Sequence, residues 1–327
     1  MFQLTCVSHG PALANPLPEP REHGIVVAAY AARAAAMAAF DPELIVAFAP
    51  DHYTDIHLEL VPSFCVGLRG IAVGDYGGFA GRLDVPSELA SRCARFLRQR
   101  DIDIAVSHSM KVDHGFSQPL HNVCGGVGRY PVLPICINTT CNPLSPFRRV
   151  RLLGEAVGAF ARDTGKRVAF LASGGLSHHP ANIFPQDLTG ARDKVKNYLM
   201  HGAESGDMTV AEWHEYLGEQ TVLGGRSVIE GRRTAKDFRI NRQWDERFLS
   251  VLTKGDYSVF DGWDETEIVR EAGVAAMEIQ QWIAAASAAQ IAGVQPIVVD
   301  AHVTTVEYRL SVAVAHADPL PGSSAAT

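Results

Sequence analysis

The amino-acid sequence predicts an α/β protein, with a mainly parallel central sheet flanked by helices and the functional residues at the C-terminal strand ends. Three observations carry that expectation. Apolar runs of strand length alternate with helical runs through the first half of the chain. Helix starts and stops carry the residues that such boundaries need. Histidines follow several of the strand-like runs within a few residues.

The elements can be justified in order. "FQLTCV" and "ELIVAF" are continuous apolar runs, as strands covered on both faces require, and the alanine-rich stretch from Ile25 to Phe40 between them reads as a helix. "VPSELASRCARFLRQR" opens with Pro86, Ser87 and Glu88 and closes with basic residues, matching the partial charges of helix ends, so Ser87 to Arg98 is the next helix. "IDIAVS" and "VLPICIN" are strands, Phe147 to Thr164 is a helix stopped at Gly165, and "RVAFLAS" is a strand. From about Gln186 the texture turns to polar helical sequence. It is followed by "TEIVREAGVAAMEIQQWIAAASAAQIA", the most strongly helical segment of the chain. No Ser/Gly or Pro linker divides the chain, so residues 1–316 are expected to form a single domain and residues 317–327 a flexible tail.

Bulk properties narrow the class. The 327 residues are 47% hydrophobic and 20% charged, an ordinary globular composition, and the net charge of -7 with no Lys/Arg block disfavours nucleic acid as a partner. The N-terminus lacks a basic region followed by an apolar one. By residue count no run reaches the roughly 18 apolar residues of a bilayer span, so the expectation is a cytoplasmic protein with no membrane partner. The six cysteines are scattered without zinc-knuckle or thioredoxin spacing and read as reduced, mostly buried thiols.

The histidines give the chemistry. His9 follows the first strand, His52 the second, His108 and His114 follow "IDIAVS", and His178 with His179 follows "RVAFLAS". A lone loop histidine is ordinarily hydrogen-bonded or solvated. Several strand ends sharing the feature place imidazoles together, because ligands of open parallel sheets bind at the C-terminal strand ends. Such a cluster implies metal chemistry, proton transfer, or both. The expected complement is a carboxylate, and Glu278 is the candidate, because its helix is otherwise apolar there and a buried carboxylate needs a cation or a metal. The bland alternative is a half-exposed helix glutamate. Asp51 and Asp113 each precede a histidine and would either fix an imidazole tautomer or cap a turn. The glycine-rich stretches match neither a dinucleotide fingerprint nor a phosphate loop, and neither a G-x-S-x-G elbow nor an H-E-x-x-H helix occurs.

In order, "SHGP", "PDHY", "VDHGFSQPL", "ASGGLSHHP", "NRQWDERFL" and "MEIQQWIAAASA" resemble the class III extradiol ring-cleaving dioxygenases, the superfamily of the protocatechuate 4,5-dioxygenase catalytic subunit, over roughly residues 1–290. The resemblance implies Fe(II) held by His9, His52 and Glu278. It implies His178 as base and His114 as acid, or the reverse, with the choice between His178 and His179 open. It also implies a catecholic substrate cleaved with both atoms of O2, 2,3-dihydroxyphenylpropionate or a related substituted catechol, in a homo-oligomer. Arg69, Arg129, Arg148 and Lys111 are candidates to bind a side-chain carboxylate. The ending "VDAHVTTVEYRLSVAVAHADPL" departs from the aromatic, glycine-rich ending of the nearest relatives and leaves the substrate open. Two competing readings use the same residues: a zinc-dependent hydrolase, and a non-catalytic scaffold of the same fold.

Overall fold

A computed structural model describes residues 1–14 and 16–319. In chain order the elements are β1 (Phe2–Val7), α1 (Pro11–Ala14), α2 (His23–Phe40), β2 (Leu44–Ala49), β3 (Phe64–Gly67), β4 (Gly70–Val73) and β5 (Ala80–Leu83). They continue through α3 (Ser87–Arg98), β6 (Ala105–Ser107), β7 (Met110–Val112), α4 (His114–Asn122), β8 (Val132–Ile137), α5 (Phe147–Asp163) and β9 (Val168–Ser173). The last are α6 (Asp193–His201), α7 (Val210–Ile229), α8 (Arg242–Lys254), α9 (Glu265–Ala272), α10 (Ile279–Ala292), β10 (Val298–Thr305) and β11 (Leu310–Ala317).

An 8-stranded sheet runs in the order β10-β11-β1-β9-β2-β8-β3-β6, and a 3-stranded sheet, β5-β4-β7, lies apart from it. The middle of the large sheet, β1-β9-β2-β8, is parallel throughout. Its flanks are mixed: β3 runs antiparallel to β8, and the β10–β11 hairpin is antiparallel to β1. Strict alternation explains why the central strands are apolar at every position. Leu44, Val46 and Phe48 face one core layer while Ile45, Ala47 and Ala49 face the other, so helices must cover both sides. α3, α5, α8 and α10 supply the first layer, and α2 and α4 with the small sheet supply the second.

The structure corrects two sequence expectations. The sheet is mainly parallel as expected, with antiparallel pairs at its flanks, one of them where the β10–β11 hairpin completes the β1 edge. The tail expected over residues 317–327 does not include Ala317, which ends β11 opposite Leu4, and residues 320–327 lie outside the described residues. The long C-terminal helix is broken. Gly273 takes φ 94°, and a Cβ there would meet the His178 carbonyl oxygen at 2.1 Å, so α9 ends and a 3₁₀ turn over Val274–Glu278 precedes α10. In addition α2, with 18 residues and hydropathy 1.4, is long and apolar enough to span a bilayer by length and composition, since averaging lets its alanines offset His23 and Arg33. In the fold its Val26, Ala29, Arg33 and Met37 are buried, with Arg33 Nε 3.2 Å from Asp300.

Candidate metal centre and active site

The turn after β2 is held from every side. Asp51 accepts from the backbone N–H groups of Thr54, Asp55 and Ile56, which makes it the turn cap. Thr140 donates its hydroxyl to the Asp51 carbonyl, and the Trp213 indole N–H donates to the His52 carbonyl. Tyr53, at φ 62°, donates to the Thr140 carbonyl at 2.7 Å. Asp113 has the other role proposed for these aspartates. It accepts from the His52 backbone N–H at 2.6 Å and lies 3.2 Å from His52 Nδ1, while its second oxygen caps α4 through the Gly115 N–H. A carboxylate at Nδ1 puts that proton there and leaves Nε2 with its lone pair facing inward.

His9 is positioned by Ser173, whose Oγ is 2.7 Å from Nδ1 and whose hydroxyl is able to accept from it. Both Nε2 atoms then meet one carboxylate: Glu278 lies 3.6 Å from His9 Nε2 and 3.4 Å from His52 Nε2. Glu278 is 1% exposed and sits at the N-cap position of α10, not within a helix face. Two glycines admit it. A Cβ on Gly174 would meet the Glu278 backbone oxygen at 2.6 Å, and the Gly175 N–H donates to Glu278 Oε2 at 2.7 Å.

His114 arrives from the small sheet, at the start of α4 directly after β7. Its ring stacks on His52 with centroids 4.4 Å apart, and its Nδ1 is 2.5 Å from Asp75 Oδ2, leaving Nε2 for the cavity. Ring nitrogens of His9, His52 and His114 all lie within 4.8 Å of one another. His178 Nδ1 is 3.0 Å from the Leu176 carbonyl, an obligate acceptor, so Nδ1 bears the proton and Nε2 carries a lone pair. His179 is tied elsewhere. Its Nδ1 accepts from the Val274 N–H, and its Nε2 is 3.1 Å from Asp187. His178 therefore lines the cavity and His179 braces the α9–α10 break, while His108 is exposed between β6 and β7.

A cavity of about 370 Å³ opens over these groups. Its polar end holds His9, His52, His114, His178 and Glu278, and its walls include Tyr76, Phe184, Leu217 and Tyr308. Arg69, Arg129, Arg148 and Lys111 do not line it. Its guanidinium groups belong to Arg232, Arg233 and Arg309. Sequence reasoning missed Asp75, Arg233 and Arg309, which lie in no histidine motif, and passed over Ser173 inside "ASGGLSHHP", because its partner His9 comes from a distant segment.

Burial and paired charge act against each other here. Burial first, joined by the neighbouring His52 and His114, pushes His9 down to about 3, with the Glu278 carboxylate opposing it only in part. Burial also disfavours His52 as a cation, yet the carboxylates of Asp113 and Glu278 outweigh it and hold this imidazole well above its ordinary range. Glu278 and Asp113 are penalised by burial too, and the neighbouring histidines pull both well below the usual carboxylate range. Two donors about 2.1 Å from one ion, at angles of about 90–110°, lie roughly 3.0–3.4 Å apart. The imidazole–carboxylate separation of 3.4 Å at His52 meets that requirement, and the 3.6 Å at His9 exceeds it by about 0.2 Å. Two imidazoles and one anion on one side of a cavity form a donor set that suits a divalent metal, whose binding would displace the proton that the carboxylates hold on His52.

Residues 3–311 match the family model described as the catalytic LigB subunit of aromatic ring-opening dioxygenase. The chain belongs to this family. Among curated members it is 37% identical over 318 residues, 97% of this chain and 98% of the other, to the 2,3-dihydroxyphenylpropionate/2,3-dihydroxicinnamic acid 1,2-dioxygenase of Cupriavidus necator. It is 39% identical to the enzyme of that description from Escherichia coli (strain K12 / DH10B) over 285 residues, 87% of this chain and 88% of that one. A solved structure of an Escherichia coli K12 protein described as uncharacterized aligns with TM-score 0.46 and 13% identity, covering 97% of this chain and 99% of that chain. As a family member the chain is a ring-opening dioxygenase, and its histidine cluster joins His9 and His52, which follow strands of the large sheet, to His114 at the start of α4.

Proposed function

We propose that the protein is an Fe(II)-dependent extradiol dioxygenase acting on 2,3-dihydroxyphenylpropionate or a related substituted catechol, in which the chain to the end of β11 at Ala317 forms one catalytic domain. The observation that carries the reading is the convergence of His9 Nε2 and His52 Nε2 on one buried carboxylate, Glu278. These three residues would hold the metal. When bound, Fe(II) supplies a redox centre through which a catechol and O2 exchange electrons, avoiding the spin-forbidden direct reaction.

The remaining steps are proton transfers by this chain. His178 presents an unprotonated Nε2 because Leu176 holds Nδ1–H, so it accepts the proton of a catechol hydroxyl. His114, anchored by Asp75, presents Nε2 from another segment and delivers a proton to the departing oxygen. Acid and base are separate groups on separate loops, as a reaction that takes a proton and later returns one requires. The walls formed by Tyr76 and Phe184 exclude water and stack against an aromatic ring. Association into a homo-oligomer in the cytoplasm belongs to this reading, and Ile25 and Val27 of α2, 54% and 52% exposed, offer apolar surface for it.

A second reading keeps the three-histidine set His9, His52 and His114 for zinc in a hydrolase. One experiment separates them. Anaerobically reconstituted protein is mixed with 2,3-dihydroxyphenylpropionate, and oxygen uptake and the yellow ring-opened product are followed. Uptake matching product formation, abolished in His52→Ala, with His114→Ala still binding one iron, supports the dioxygenase. Iron binding without oxygen consumption by any catechol, or metal loss in His114→Ala with zinc-restored hydrolysis, overturns it.

A further inference from the structure

The cavity has a second polar end that the ring chemistry does not use. Arg309 sits in the turn between β10 and β11 at φ 59°, a conformation that disfavours a side chain unless the surroundings hold it. Its Nη1 donates to the Leu17 carbonyl at 2.9 Å and to the Glu307 carbonyl at 3.0 Å. The neighbouring helix is cut away to receive it. A Cβ on Gly224 would lie 2.9 Å from Arg309 Cδ, and one on Gly225 would lie 3.2 Å from Nη1. Adjacent glycines inside α7 each cost roughly 1 kcal/mol relative to alanine, so the groove needs a compensating role.

Arg233 lines the same cavity, with its guanidinium stacked 4.0 Å from the Phe238 ring and one bond of 3.3 Å to the Asp237 carbonyl. Among the described residues no carboxylate lies within ion-pair distance of Arg309 or Arg233. Arg232 is different, since it is exposed and paired with Glu230. Burial first, and then the Arg233 charge, bring Arg309 down to about 10, so both groups are cationic at neutral pH and repel each other. Two unpaired guanidinium groups held together in a partly buried pocket are a site for an anion.

We infer that Arg309 and Arg233 form the anion-recognition end of this cavity and take the carboxylate of a substrate side chain whose ring lies at His9, His52 and Glu278. The inference rests on the proposed catechol reading for the ring, while the carboxylate site stands on the guanidinium geometry. It makes Arg309 a specificity-determining residue. The fork of Arg309 still has donors beyond its two carbonyl partners, and a carboxylate can bridge it to Arg233.

The test uses two probes. Calorimetry on the full-length protein without metal measures binding of 3-phenylpropionate, which has the carboxylate and lacks both hydroxyls, against uncharged 3-phenylpropanol. Arg309→Met and, separately, Arg233→Met are expected to weaken 3-phenylpropionate by about ten- to a hundredfold, as loss of a charged hydrogen-bond partner does. The preference over 3-phenylpropanol should vanish. With Fe(II) restored, the ratio of kcat/KM for 2,3-dihydroxyphenylpropionate to that for 3-propylcatechol should fall by a similar factor, carried by KM, and Arg309→Lys should restore part of it. Absence of a preference for the anion in the wild type overturns the inference, as does an unchanged preference in both variants. If no catechol is cleaved by the wild type while the calorimetric preference behaves as expected, the ring chemistry fails and the anion site stands.

Discussion

At the scale of single residues, Asp113 does two jobs with one carboxylate: it caps α4 and fixes the His52 ring. Asp113→Asn can still accept at the cap, but as an acceptor for His52 Nδ1–H it loses the charge, so metal affinity should drop about 10–100-fold. Competition against a graded chelator series measures this, and unchanged affinity would show that His52 needs no such anchor. His9 makes a pH prediction with a definite sign. Its folded value, about 3, lies below the ordinary 6.5, so between those values the unfolded chain binds a proton that the folded chain refuses. Metal-free protein therefore loses stability as pH falls through that window, by up to about 1.4 kcal/mol per pH unit from this residue. Glu278 adds to the acid loss, since its stability is present above the ordinary carboxylate range and disappears as pH falls through its lowered value. His52 has the opposite sign, its contribution being present below 6.5 and lost as pH rises through its raised value. Urea denaturation of His9→Gln at a series of pH values should show a shallower acid slope than wild type.

Elements are positioned by glycine in several places. Helices α5 and α10 approach so closely that a Cβ on Gly154 would lie 2.2 Å from the Ala284 oxygen and one on Gly158 2.3 Å from the Ala288 oxygen. The spacing of four puts both glycines on one face of α5, against alanines of α10. Gly158→Ala must separate the helices, and the expected loss is on the order of 1–3 kcal/mol, read from the urea midpoint. Since α10 carries Glu278 at its start, the same variant should also weaken the metal. Gly224→Ala in α7 is a different case. Its new methyl faces the flexible Arg309 side chain, so stability should hold or rise slightly while KM for an anionic catechol increases.

For the whole molecule, the metal would link segments that are far apart in the chain, after β1, after β2 and at the start of α10. A ligand that binds only the folded arrangement stabilises it by mass action, about 2.7 kcal/mol at a hundredfold excess over its Kd. Anaerobic Fe(II) should thus raise Tm in wild type, and this rise should be absent in Glu278→Ala. An equal rise in that variant would place the metal elsewhere.

What the sequence determined by itself was local and repetitive. Continuous apolar runs could only be strands covered on both faces, and the bounds of β1 and α3 follow from their own residues, because hydrophobic period and end chemistry act within a few positions. His9, His52 and His178 were legible for the same reason: parallel strands end on one edge, so residues just after them converge. Tertiary structure alone decided the rest. The strands β10 and β11 were not read from the sequence, and their place beside β1 depends on partners about 300 residues away. Gly273 is itself a local helix-stop signal in an otherwise helical segment, but the close approach of the His178 loop that fixes the break there is a contact no local preference encodes. Asp75 and Ser173 reach the imidazoles of His114 and His9 from behind, Arg233 and Arg309 enter the cavity from separate elements, and an imidazole's tautomer or a guanidinium's unpaired state exists only once those neighbours are in place.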